Sequence, residues 1–177
     1  MRTDDFWQLI SDARAGTGGD PGQVADRLVR ALVGRGLPEV VGWQRHLDRV
    51  LTASVGADLW GAAYLINSGC SDDDYDSFRG WLMAQGRTVF ARAVTEPDSL
   101  AELPPVRRAA ATGAELTGAA MLGVGDTAHH QLTGAEPGGP GRAAATATDD
   151  FWDFDDEDEV RRRLPRLAVL FLEPPEE

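Results

Sequence analysis

The chain has 177 residues, 42% of them hydrophobic and 26% charged, which suits a single soluble domain with a sizeable buried core. A net charge of −12 argues against nucleic acid or an anionic membrane as partner, because binding either requires clustered cations. No apolar run approaches the roughly 18 residues of a membrane span, the acidic start MRTDDFWQLI lacks the pattern of a signal peptide, and a lone cysteine forms no internal disulfide. The expected location is therefore the cytoplasm. The charge is uneven, with eleven acids and four bases in residues 149–177, and all 17 basic residues are arginine.

Taken in order, Thr3 is a candidate N-cap, with Asp4 and Asp5 where a helix dipole favours negative charge. Phe6, Leu9, Ile10 and Ala13 share a face with Trp7 beside them, which predicts an amphipathic helix over 3–15. The run Gly16 to Gly19 breaks it. Asp20-Pro21-Gly22-Gln23 then reads as a capped helix start, with Val24, Leu28, Ala31 and Leu32 as its buried stripe. Pro38 opens a third helix carrying Val40, Trp43, Leu47 and Leu51, and His46 beside this stripe reads as a structural histidine bonded to a helix neighbour.

The stretch Asp58–Gly86 organises the rest. It holds two of the five tryptophans, both tyrosines and the only cysteine. Leu59, Trp60, Ala63, Tyr64 and Ile66 make one apolar helical arm, and Asn67-Ser68-Gly69-Cys70 is turn chemistry. Ser71 and Asp74 form a capping box with Asp72 and Asp73 in the first turn, and Tyr75, Phe78, Trp81, Leu82 and Gln85 line the second arm. A helical pattern continues to about Thr95 before Glu96-Pro97-Asp98 stops it. Glycines weaken the signal from Pro104 to Gly134. Residues 135–148 read as a Gly/Pro/Ala-rich connector. Eight acids between Asp149 and Glu159 then surround Phe151, Trp152 and Phe154. A helix is expected from about Asp156 to Leu164, with Glu157–Arg161, Asp158–Arg162 and Glu159–Arg163 as i, i+4 pairs. Leu167 to Leu172 is a helix or a strand, and Glu173 to Glu177 is a disordered tail.

With these residues in view, DDFWQLI, WQRHLDRVL and above all DLWGAAYLINSGCSDDDYDSFRGWLMAQGRTVF resemble the bacterial family of domains called DUF4240, and LPRL near the C-terminus is compatible with it. The resemblance spans roughly residues 1–172. It implies a small domain that stands alone or accompanies WGR-domain, molybdate-regulator-like proteins. No activity, cofactor or site residue comes with it.

Asp72, Asp73, Asp74 and Asp76 beside Cys70 invite a metal reading, but successive helical residues fan out by about 100°. Helix-dipole charge and a cap account for the cluster, and no metal is expected. Cys70 ahead of a helix N-terminus is a candidate nucleophile that four aspartates would oppose; a small buried apolar cysteine is the favoured reading. His129 and His130 point apart on a helix, and a solvated pair near its end is preferred. Phe151, Trp152 and Phe154 either strap onto the core, the favoured reading, or present a motif to a basic partner.

The expectation is an all-α, single-domain bundle of about six to eight helices: a helical core over 1–134, a connector over 135–148, and an acidic-aromatic segment with a C-terminal helix packing on the core over 149–172. The favoured function is a non-catalytic protein-interaction or regulatory module with a protein partner and no cofactor. The alternative is a small enzyme with a pocket at Trp60, Tyr64, Asn67, Asp72, Asp73 and Trp81. A weaker third reading has the acidic face mimic nucleic acid for a basic partner.

Overall fold

The computed structural model describes residues 1–135 and 151–173. Most of the connector (136–148) and of the tail (174–177) lies outside the described residues. The fold is all-α and forms one domain. Its helices are α1 (Thr3–Arg14), α2 (Pro21–Arg35), α3 (Leu37–Ala53), α4 (Ala57–Asn67), α5 (Asp72–Ala84), α6 (Arg87–Thr95), the 3-10 helix η1 (Pro97–Glu102), α7 (Pro104–Thr112), α8 (Ala119–Leu122), α9 (Val124–Thr133), α10 (Glu157–Arg163) and α11 (Pro165–Phe171). The twelve among the described residues exceed the expected six to eight because glycine and proline cut the apolar pattern into shorter pieces. Gly86, at φ 95°, separates α5 from α6, Pro97 opens η1, and Pro165 opens α11. The ambiguous run near Leu167 is helix.

The caps are local. Asp20 accepts from the Gln23 amide at 2.8 Å, and Ser71 and Asp74 close a reciprocal capping box. The first helix is entered one residue earlier than expected: Arg2 is its N-cap, and its backbone N–H donates to Asp5 at 2.9 Å.

The helices pack in two groups. α2 is the centre of the first and touches α1, α3, α5, α8 and α9, with Val24, Leu28 and Leu32 fully buried. η1 is the centre of the second and touches α4, α6, α7 and α11. α5 joins the groups, touching α1, α2 and α8 on one side and α4 and α6 on the other. Its polar anchor is Arg79, only 2% exposed. The guanidinium donates to Asp76, to the Leu51 carbonyl and to Ser54 Oγ, and so caps the C-terminal end of α3. Tyr75 adds a hydroxyl donated to the Ser54 carbonyl at 2.9 Å.

The segment between α7 and α8 is laid against the hairpin by backbone contact. Asn67 receives the Leu116 amide at 2.9 Å and donates to the Leu116 carbonyl at 3.3 Å. The Gly118 amide donates to the Ser77 carbonyl at 2.9 Å. A Cβ on Gly118 would stand 2.2 Å from the Trp81 backbone nitrogen, and one on Gly80 would stand 2.4 Å from the Gly118 oxygen. Two chains approach this closely only where neither carries a side chain.

Residues 151–173 are fastened to the second group. Asp98 accepts from the Arg166 and Leu167 amides at 3.0 and 2.9 Å, satisfying the start of α11 from another helix. Glu102 pairs with Arg92 and with Arg166. Of the expected pairs in α10, Glu157–Arg161 forms at 2.7 Å and Glu159–Arg163 at 2.8 Å, while Arg162 turns to Glu159 instead of Asp158.

Two outcomes are expected. Gly118→Ala should cost about 1–3 kcal/mol, the usual scale of an overpacked contact; urea unfolding within about 0.5 kcal/mol of wild type would show that the two backbones are not held together. The hydrogen bonds from Arg92 and Arg166 pull the Glu102 carboxyl down from its ordinary 4.5 to about 2. Its tie to α11 is then complete above pH about 4.5 and is lost as pH falls through about 2. The α11 amide protection measured by hydrogen exchange should fall across that window in wild type and less so in Glu102→Gln. Equal pH dependence in both would refute the tie.

Candidate functional site

α4 presents a wall of aromatic and small side chains, set by its unbroken apolar run from Leu59 to Ile66. Residues 151–155 lie across this wall. Trp152 is 8% exposed and rests on Gly61, where an added Cβ would stand 2.4 Å from the indole. Its indole N–H donates to Asp58 at 2.9 Å, and Asp58 also accepts from Arg163 at 3.1 Å. The Arg163 guanidinium carbon sits 5.3 Å over the Trp152 ring. Phe154 meets Tyr64 with ring centroids 5.5 Å apart, and the Tyr64 hydroxyl donates to Asp155 at 2.7 Å. Phe151 stands edge-on to Trp60 at 5.6 Å.

Between these two walls is a cleft of about 480 Å³ lined by Trp60, Tyr64, Cys70, Phe151, Trp152, Asp153, Phe154 and Asp155. Its aromatic floor is fixed from below. Trp60 donates to the Cys70 carbonyl at 3.0 Å and stacks on Tyr75 with centroids 4.6 Å apart. The hydrogen bond to Asp155, then burial and the charges of Asp155 and Asp153, raise the Tyr64 hydroxyl above its ordinary pKa. With Asp153 and Asp155 in its lining and no basic side chain among the described residues there, the cleft is electronegative. Burial, helped by the charge of Asp74, pushes the half-buried Cys70 thiol up to about 12. That is the opposite of what a nucleophilic thiolate needs. A second cleft, of about 660 Å³, shares Phe151 and Trp152 with the first and includes Asp58 and Arg163.

The six residues singled out from sequence do not share one place. Trp60 and Tyr64 line the aromatic cleft. Asn67 is spent on the Leu116 backbone. Asp72 and Asp73 are exposed in the first turn of α5. Trp81 is 4% exposed and packs against Phe78 at 5.3 Å inside the core. The aspartates diverge as helix geometry requires: Asp74 turns back to Ser71, and Asp76 turns inward to Arg79. Among the described residues no group of three His, Cys, Asp or Glu side chains is placed to hold a metal ion. His46 bonds the Gly42 carbonyl at 2.9 Å, a helix neighbour, and His129 contacts the Ala135 carbonyl at 3.2 Å at the end of α9.

Residue order does not join Phe151, Asp153, Phe154 and Asp155 to Trp60 and Tyr64, nor single out Asp58 and Gly61 as their neighbours. The available signal was Gly61-Ala62-Ala63, a small-residue step within an apolar helix beside two large rings. It marks a place for an incoming side chain without naming it.

A family model described as "Protein of unknown function (DUF4240)" matches residues 1–131, which covers α1 through most of α9 and stops short of the strap that the resemblance had included. No curated protein and no solved structure matches the chain significantly. The chain thus belongs to the DUF4240 family through its helical core, residues 1–131.

Proposed function

We propose that this protein is a non-catalytic cytoplasmic interaction module that holds a protein partner at the aromatic cleft between α4 and residues 151–155. The observation that carries this reading is the gathering of Trp60, Tyr64, Phe151 and Phe154 around one opening, with Phe151 47% exposed at its rim. Aromatic side chains are enriched in protein-binding surfaces because they bury large areas with little loss of rotamer freedom. The enzyme reading needs an activated group in the cleft. Both Cys70 and Tyr64 are shifted toward their neutral, unreactive forms, which weighs against it. Among the described residues no helix is long and apolar enough to cross a membrane, in keeping with the proposed location.

Phe151→Ser removes the rim ring, and Val169→Ser alters a side chain on α11 that is 81% exposed and not in the cleft lining, as a control. In affinity capture from the native host, proteins retained by the wild type and by Val169→Ser should be lost by Phe151→Ser, with the thermal midpoint within about 2 °C of wild type. Retention of the same proteins by all three would rule the cleft out as the contact surface.

A further inference from the structure

The chain uses one polar arrangement twice within itself. Arg79 lies 4.5 Å from the Tyr75 ring centroid and pairs with Asp76. Arg163 lies over the Trp152 ring and pairs with Asp58 at 3.1 Å. In each case a guanidinium is held by an aromatic face and a carboxylate together, a combination suited to its flat, forked shape. The cleft supplies the same two partners without the third. Trp60, Tyr64, Phe151 and Phe154 provide rings, Asp153 and Asp155 provide carboxylates, and no basic side chain is among the described residues that line it. Asp155 Oδ1 takes the Tyr64 hydroxyl, and Asp153 Oδ1 takes the Asp155 amide. Among the described residues nothing donates to Oδ2 of either.

We propose that the cleft receives an arginine side chain presented by a segment of the partner polypeptide, with the guanidinium held between the aromatic lining and the carboxylates of Asp153 and Asp155. This rests on the interaction reading above and adds the chemistry of the partner. Charge complementarity selects a cation, since Asp153 and Asp155 line the cleft with no basic side chain among its described lining. The rings select arginine over lysine, because a guanidinium stacks and forks where an ammonium is a hydrated point charge. A volume of about 480 Å³ leaves space for the residues flanking the arginine.

The test is an NMR titration of the full chain with an end-blocked Gly/Ser peptide carrying two arginines, beside versions with lysine or with citrulline, the neutral analogue. The arginine peptide should shift the Trp60 indole signal and bind about tenfold more tightly than the citrulline peptide and several-fold more tightly than the lysine one. Asp153→Asn with Asp155→Asn keeps an acceptor for the Tyr64 hydroxyl, so the strap stays docked. It should reduce arginine binding to the citrulline level, while Val169→Ser leaves it unchanged. Equal binding of the arginine and citrulline peptides, equal binding of arginine and lysine, or indifference to the double variant would overturn the proposal. Equal peptide binding combined with Phe151-dependent capture would refute the arginine assignment and leave the interaction reading standing. Arginine-selective binding with capture indifferent to Phe151→Ser would refute the interaction reading instead.

Discussion

A charged side chain with almost no access to water sits where the two groups of helices meet. Arg79 can be buried only because the end of α3 turns the Leu51 carbonyl and the Ser54 hydroxyl toward the guanidinium and Asp76 supplies the countercharge. The arrangement leaves one donor, Nε, without a partner among the described residues, so it is not a device for maximal stability. Its effect is positional. With Arg79 bound to α3, Tyr75 one turn earlier must point at the Ser54 and Gly56 carbonyls, at the entrance to α4. Trp60 then stacks on Tyr75 at an interplanar angle of 10°, and its position sets the floor of the cleft. A buried ion pair and an open aromatic cleft are joined through Tyr75.

The strap is held by a different kind of force. Burying an indole removes on the order of 150–250 Å² from water, worth about 4–6 kcal/mol before the cost of ordering the chain. The exposed ion pairs along α10 and α11 are screened by water and contribute little. Trp152 on Gly61 therefore decides that the strap docks, and Asp58, Asp98 and Tyr64 decide its orientation. The cleft is a product of both parts. One wall belongs to the region matched by the family, and the other comes from residues 151–155, beyond that match. Relatives that share the core and differ after α9 would present α4 with different chemistry opposite it.

Much of this was legible from residue order alone, for physical reasons that can be named. Apolar spacing placed α1, α2 and α3 because each buries a stripe of side chains at helical period, and α4 because it is apolar nearly all round. The capping box at Ser71 was legible because a cap is satisfied by neighbours three residues away. What could not be read was long-range. Asn67 looked like a site residue and instead holds Leu116, 49 residues on, since an amide that bonds backbone leaves no mark in sequence. Trp81, on the apolar face of the second arm, was also a candidate for a pocket lining, and its ring packs on Phe78 in the core, away from Trp60 and Tyr64. The pairing of Tyr64 with Asp155 joins residues 91 apart and depends on where Trp152 lands.

The dependence of the whole on Arg79 is most directly measured by urea unfolding of Arg79→Met, alone and combined with Asp76→Leu. Removing the guanidinium alone leaves a buried carboxylate unpaired and should cost about 3–5 kcal/mol, with much of that loss recovered in the double variant, where the carboxylate is gone as well. The Trp60 indole signal should move in the single variant as Tyr75 loses its neighbour. A single variant within about 1 kcal/mol of wild type, with the Trp60 signal in place, would contradict the central role given to this pair.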